Sequence, residues 1–255
     1  MTRKKKQKIN WIRMIISFIS VSMVIALIWT AFWWSEFRNS LVIDQVKFGK
    51  TTVLESRVYE ATLGNIIGIS PEQIRLNDIS DLMESHPYVK AARVSHQYPG
   101  TIQIEILERQ PIALLKMDPM VMLDAEGVVL PTLNNLGDFN LPVLTNFNPE
   151  PELYPPGKKA LSVKVRECID WLSRIQVEYE SLYDNLSEMK MTSTNEMELI
   201  LADHPTRIYL GQDQLWARIE ILKQFEEELG SKKISDFSYL DMRYENQIIA
   251  KGRRS

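Results

Sequence analysis

The chain has 255 residues, enough for one large or two small domains, and we expect two. Six of its 30 Lys and Arg residues precede residue 14, which leaves 24 positive charges against 33 negative ones, a net charge of about −9 for the remainder. This acidic balance argues against nucleic acid or anionic lipid as a ligand of that part.

Residues 14–34 form an apolar run, MIISFISVSMVIALIWTAFWW, without a charged residue or a histidine. At a rise of about 1.5 Å per residue, some twenty residues cross a hydrocarbon layer of about 30 Å, so the run predicts a transmembrane helix. Trp11 before it and Trp29, Trp33 and Trp34 at its end suit the two headgroup zones. An uncleaved anchor is favoured over a cleaved signal peptide, because the run is long and ends in bulky side chains.

The flanking charges predict the orientation of this helix. Residues 1–13 carry six positive charges and no acidic residue, whereas Glu36 and Arg38 after the span roughly cancel. By the positive-inside rule, residues 1–13 form a cytoplasmic tail and everything from about Ser35 onward is exported.

The sequence pattern of residues 41–111 predicts a small α+β unit in the order strand, helix, helix, strand, strand. The expected strands are 41–48, 89–97 and 101–107, and the expected helices are 52–63 and 78–85. Thr52 and Glu55 have the T-x-x-E spacing of a capping box that would begin the first helix. Ile102, Ile104 and Ile106 alternate with polar residues, so one face of the sheet is predicted to be buried.

Short motifs around these strands are distinctive. They are His86, Pro87, Tyr88 and Val89; Tyr98, Pro99, Gly100, Thr101 and Ile102; Glu105; and Glu108, Arg109, Gln110, Pro111, Ile112 and Ala113. Together they resemble a run found in the FtsQ/DivIB family of bacterial cell division proteins, with Tyr88 and Tyr98 standing where the family has tryptophan. The resemblance implies that residues 41–111 form a POTRA domain, a module used for protein contacts in envelope proteins.

The sequence pattern of residues 112–255 predicts a second domain that is mostly antiparallel β-sheet with two helices. The expected strands are 112–116, a hairpin within 120–131, 141–144, 186–192, 197–202, 206–211, 237–243 and 248–251, and the helices are 162–180 and 214–229. Two further stretches resemble motifs of the FtsQ/DivIB family. They are Ile208, Tyr209, Leu210 and Gly211, and the stretch from Tyr239 to Tyr244. The resemblance thus covers nearly the whole chain.

The sequence offers no sign of catalysis, of a metal site or of a cofactor. The histidines, His86, His96 and His204, are scattered, and no G-x-S-x-G or HExxH motif is present. Cys168 is the only cysteine, and its helical spacing with Val165 and Ile169 favours a buried thiol. We therefore expect a protein that is not an enzyme and that binds no small-molecule substrate.

The end of the chain is the predicted partner-binding site, since an amphipathic strand at a sheet edge can accept another strand. The candidate residues are Arg243, Tyr244, Gln247, Ile248, Ile249, Ala250 and Lys251, with Tyr244 as an aromatic anchor and Arg243 as a cation for a carboxylate. The resemblance implies that this strand binds FtsB, and through it FtsL. Tyr88 and Tyr98 are candidates for a second partner surface, and the alternative is that they are packing residues.

The resemblance implies an inner-membrane, single-pass scaffold at the division septum that connects early and late division proteins and helps to control peptidoglycan synthesis. One alternative is a POTRA-containing envelope assembly or secretion component, which usually has several repeats and a barrel. Another is a membrane-anchored envelope hydrolase, which would need a pocket with convergent carboxylates or a Ser and His pair.

Overall fold

A computed structural model describes residues 11–39, 42–133, 139–244 and 247–253. Within these ranges the α-helices are α1 (Trp11–Asn39), α2 (Ser56–Leu63), α3 (Leu76–Glu84), α4 (Val163–Glu178), α5 (Glu180–Asp184) and α6 (Leu215–Glu228). The strands are β1 (Gln45–Phe48), β2 (Val89–Gln97), β3 (Thr101–Glu108), β4 (Pro111–Leu115), β5 (Val121–Asp124), β6 (Val129–Leu130), β7 (Val143–Thr145), β8 (Leu186–Met191), β9 (Met197–Leu201), β10 (Arg207–Gly211), β11 (Phe237–Asp241) and β12 (Ile249–Gly252).

The helix α1 contains the predicted apolar run. Its stretch Trp11–Glu36 has a mean hydropathy of 2.3 and is long and apolar enough to cross a membrane. None of this stretch is buried inside the protein, so its apolar side chains face outward on all sides. Such a surface is suited to lipid rather than to water.

The first unit is a three-stranded sheet in the order β1-β3-β2, with β1 parallel and β2 antiparallel to β3. Ile102 and Ile104 of β3 are fully buried against Ile79 and Met83 of α3 and Leu63 of α2. Alternation along β3 therefore places its apolar face against the two helices. The predicted order of strand, helix, helix, strand, strand is confirmed.

The predicted capping box at the start of α2 is wrong. The helix begins at Ser56, and its N-cap residue, Glu55, makes no capping hydrogen bond. Thr52 instead donates from its backbone N–H and from its hydroxyl to the carboxylate of Glu108 at the end of β3. The sequence spacing suggested Glu55 as the local partner of Thr52. The fold instead brings the buried carboxylate of Glu108 close to Thr52.

The second sheet has nine strands in the order β12-β11-β10-β9-β8-β7-β4-β5-β6. Five of its neighbouring pairs are antiparallel and three are parallel, which agrees with the predicted mostly antiparallel sheet. The helices α4 and α6 cover one face, where Cys168 and Leu172 of α4 are fully buried with Leu222 of α6. The predicted helix 162–180 divides at Tyr179, whose backbone angles are not helical, and α5 continues after it.

The two units meet at an apolar cluster and at a group of ion pairs. Tyr88 packs with Met122, Val128 and Leu130, and all four are buried. Arg109 Nη1 contacts Asp124 Oδ2 at 2.7 Å and Glu126 Oε2 at 2.9 Å, and Lys90 Nζ lies 2.9 Å from Glu126 Oε1. Hydrogen bonds from Lys90 and Arg109 lower the pKa of Glu126 to about 2.

Replacing Arg109 by alanine is expected to lower the free energy of unfolding by about 2 kcal/mol, because Asp124 would be left buried without its cation. The backbone N–H groups of Glu126 and Val128 still donate to Asp124 and limit the loss. Urea unfolding of the full chain in detergent measures this loss in the free energy of unfolding. Arg75→Ala is the control, since its pair with Asp78 is exposed and worth less than about 1 kcal/mol. Equal losses for the two variants would contradict a structural role for Arg109.

Candidate partner-binding edge

The strand β12 is the outermost strand at one end of the nine-stranded sheet. It pairs antiparallel with β11, with Leu240 opposite Ala250 and Asp241 opposite Ile249. Among the strands that the structure describes, none pairs with its other side. All four residues of β12 are exposed, so its free edge is open to another chain.

Two other sheet edges, those of β6 and β2, are covered in part by the protein itself. At the opposite end of the nine-stranded sheet, Val129 of β6 accepts a hydrogen bond from Gly157 N and donates one to Lys158 O. On β2 of the first sheet, the backbone of Ala92 is satisfied by α3: Ala92 N donates to Glu84 Oε1 at 3.0 Å, and Ser80 Oγ donates to Ala92 O at 2.7 Å. These contacts block strand addition at those positions and distinguish them from β12.

The hydrogen bonds around β12 show which backbone groups point outward. Arg253 N donates to Asp236 O at 3.3 Å, and the carbonyl of Lys251 accepts a hydrogen bond from Ser238 Oγ at 3.1 Å. Both groups therefore face β11. Because alternate residues of an edge strand face opposite sides, the N–H and C=O of Ala250 point away from the sheet.

The edge has apolar side chains on both faces of the sheet. Ala250 lies on the same face as Leu240, which is buried in the core, and Ile248 is half-buried against that core. Ile249 lies on the opposite face and is 42% exposed. An added strand can thus find an apolar neighbour for each of its two sets of side chains.

A groove of about 300 Å³ lies between α6 and the residues that precede β12. Ala217, Arg218 and Ile221 of α6 line one side, and Tyr244, Gln247 and Ile248 line the other. Tyr244 and Ile221 are 51% and 44% exposed, so the groove offers an aromatic ring and an aliphatic side chain to a ligand.

Sequence reasoning missed the contribution of α6 to this groove. Leu215, Ile219 and Leu222 form the buried stripe of the helix, and Ala217 and Ile221 lie outside that stripe. Apolar residues beyond the core-facing stripe were the signal that could have found it.

Arg243 is held by acidic residues of its own chain. Its Nε and Nη2 atoms contact the Asp241 carboxylate at 2.9 and 2.7 Å, and its Nη1 atom lies 3.4 Å from Glu196 Oε2. The hydrogen bond from Arg243 is the main cause that lowers the pKa of Asp241 below its ordinary value. The pair of Arg243 and Asp241 fixes the chain just before Tyr244, and a contact of Arg243 with a carboxylate of a partner stays a prediction.

On the face that carries Ile249, Lys251 lies with its Nζ atom 5.9 Å from the centre of the Tyr239 ring. Tyr239 in turn packs beside Tyr209, with ring centres 6.2 Å apart, and Arg243 lies 5.3 Å above Tyr209. The cations flank a pair of tyrosines, which gives this face of the edge a mixed aromatic and cationic surface.

The two tyrosines of the predicted second surface have different surroundings. Tyr88 is only 2% exposed, and its hydroxyl donates to the carbonyl of Pro131, so it is a packing residue at the junction of the two units. Of the two alternatives for Tyr88, the structure thus supports the packing residue and not the partner surface. Tyr98 is 70% exposed at the turn between β2 and β3. Within the described residues, no three His, Cys, Asp or Glu side chains are grouped as metal ligands.

These features define a class of protein with an N-terminal membrane-compatible helix, a small α+β module and a larger sheet that has one open edge. Residues 49–109 match the family described as "POTRA domain, FtsQ-type". Residues 113–243, about half of the chain, match "Cell division protein FtsQ/DivIB, C-terminal". The chain therefore belongs to the FtsQ/DivIB family of cell division proteins.

Individual relatives agree with this assignment. The chain is 26% identical over 178 residues to Cell division protein FtsQ of Geotalea daltonii, a match that covers 70% of the chain and 64% of the relative. It is 27% identical over 170 residues to FtsQ of Aliivibrio fischeri, covering 67% and 59%, respectively. A longer match to FtsQ of Neisseria gonorrhoeae has 22% identity over 219 residues and covers 84% of the chain and 81% of the relative. The chain thus spans less than two thirds of the first two relatives.

Proposed function

We propose that the protein is a non-enzymatic scaffold of the division machinery that binds FtsB, and through it FtsL, by adding a strand of the partner to β12. Family membership supports the role in division. The observation that carries the mode of binding is the open edge of β12, with the backbone of Ala250 directed outward.

In this proposal α1 is a single span of the inner membrane, with residues 1–13 in the cytoplasm and the remainder in the periplasm at the septum. The POTRA domain takes residues 41–111 and the β domain residues 112–255. The positive charges before the span support this orientation. Anchoring also favours binding, because partners that share one membrane meet at a high effective concentration, so that a short strand suffices.

The partner strand would extend the sheet beyond β12, with alternate side chains on its two faces. On one face they would enter the groove beside Ile221 and Ile248, and on the other they would contact Ile249. By holding FtsB and FtsL, the protein would connect early with late division proteins and help to control septal peptidoglycan synthesis.

Site-specific crosslinking tests the proposal in cells. A photoreactive residue in place of Tyr244 or Ile249 is expected to crosslink to tagged FtsB, because both side chains are exposed beside the open edge. Val177 on α4 provides the matched control, since it is apolar and 82% exposed but does not line the groove. Equal recovery of FtsB from all three positions, or recovery from none, would contradict binding at β12.

A further inference from the structure

Three segments meet at one end of the first unit, where the chain arrives from α1. Ile43 N donates to Ile69 O at 2.9 Å, and Gly68 N donates to Ile43 O at 2.7 Å. On the other side, Asp44 N donates to Gly100 O at 2.9 Å. The arriving segment is thus held between the loop after α2 and the turn between β2 and β3.

Three apolar side chains at this end are exposed. Tyr98 is 70% exposed, Ile67 is 59% exposed and Val42 is 48% exposed, and we call these three residues the tip. Their neighbours Ile43 and Ile102 are buried in the core of the unit. The tip therefore extends beyond the core and is left without a cover in the described part of the chain.

The tip is also tied closely to α1. Val42 follows Asn39, the last residue of α1, by three residues, and an extended chain spans at most about 3.6 Å per residue. The Cα atom of Val42 therefore lies within about 11 Å of the end of that helix. Since the apolar stretch of α1 ends at Glu36, the membrane surface is within reach of this end of the unit.

We infer that the tip rests in the headgroup layer of the bilayer that holds α1, with Tyr98 and Ile67 in contact with lipid. This rests on the anchoring by α1 in the proposed function. A tyrosine beside aliphatic side chains suits that layer, where the ring lies among apolar groups and the hydroxyl meets water. The three side chains of the tip are uncharged, so the contact does not depend on anionic lipid.

A second attachment close to α1 restricts the tilt of the first unit relative to the membrane. Because the apolar cluster and the ion pairs of Arg109 join the two units, the restriction extends to the sheet that carries β12. The open edge is thereby presented at a defined height above the bilayer. Partners anchored in the same membrane would meet it there without a search over many orientations.

The test uses the full chain in vesicles of zwitterionic lipid, with an environment-sensitive dye on a cysteine at the tip. Cys168 is buried, so a thiol-reactive dye labels the introduced cysteine in Tyr98→Cys or Ile67→Cys. Val177→Cys, at another exposed apolar position, is the control. We expect blue-shifted emission, and quenching by lipids spin-labelled near the headgroup, at both tip positions and not at the control.

The outcomes separate this inference from the proposed function. Flotation with the vesicles reports on anchoring by α1 alone, so a chain that floats while its tip dyes emit like the control overturns the inference and leaves anchoring intact. A chain that fails to float overturns both. Shielding of the tip only after FtsB and FtsL are added would assign the tip to a protein partner and would also overturn the inference.

Discussion

Replacing Ala250 by proline is expected to weaken FtsB binding by at least about tenfold, equivalent to about 1.4 kcal/mol, with little change in stability. The N–H of Ala250 points away from β11, so proline removes a donor that only an added strand would use, and its ring occupies the space of that strand. The free energy of unfolding should stay within about 0.5 kcal/mol of the native value, since edge strands tolerate proline when the N–H faces solvent.

Two further variants, one at the same position and one at the next residue, test whether the effect comes from the backbone. Ala250→Ser changes the side chain but keeps the N–H, so near-native affinity is expected. Lys251→Pro removes an N–H that faces β11, as the hydrogen bond at the Lys251 carbonyl indicates, so this variant should detach β12. Titration of the full chain in lipid nanodiscs with FtsB gives all three affinities. Native affinity for a folded Ala250→Pro protein would rule out strand addition at β12.

Local sequence patterns predicted most of the elements because each depends on short-range periodicity. The alternation of Ile102 and Ile104 marked β3, and the helical spacing of Val165, Cys168 and Ile169 marked the buried face of α4. The final strand followed from a short apolar run after a polar turn, and its place as an outermost strand agrees with the expectation of an edge. These features need no knowledge of distant residues.

Contacts between distant residues were beyond the reach of that reasoning. The strand β7 lies between β4 and β8, parallel to both, and nothing in its three residues specifies those neighbours. The burial of Tyr88 depends on Met122 and Leu130, which follow it by more than thirty residues. The same holds at the edge, where the sheet brings Glu196 within 3.4 Å of Arg243 although 47 residues separate them in the chain.

The carboxylate of Glu108 is the clearest example of such a contact, and its removal is expected to have the largest effect on stability. Glu108 is 9% exposed and accepts hydrogen bonds from the backbone N–H groups of Val53 and Leu54, each at 3.0 Å. Tyr59 Oη donates to it at 2.7 Å, and Thr52 donates from both its N–H and its hydroxyl. The side chain of Glu108 thus joins β3 to α2 and to residues 52–54, which lie at the junction of the two units.

Glu108→Ala should lower the free energy of unfolding by about 3 to 4 kcal/mol, because it leaves several donors without an acceptor. Glu105→Ala is the matched control on the same strand, since Glu105 is exposed and its loss should cost less than about 0.5 kcal/mol. Urea unfolding of the full chain in detergent gives both values. A loss for Glu108→Ala as small as for Glu105→Ala would mean that solvent satisfies the freed donors.

The same network predicts a dependence on pH. Burial alone would raise the pKa of Glu108, but hydrogen bonds from Tyr59 and from the N–H groups of Thr52, Leu54 and Val53 outweigh it and hold the pKa below the ordinary 4.5. Because the folded pKa is the lower one, the stabilisation is fully present above about pH 4.5 and is lost as the pH falls through the folded value. The difference in unfolding free energy between the native protein and Glu108→Gln should therefore be constant near neutral pH and shrink below about pH 4.5. A difference that grows on acidification would show that the neutral acid, rather than the carboxylate, is the form the network prefers.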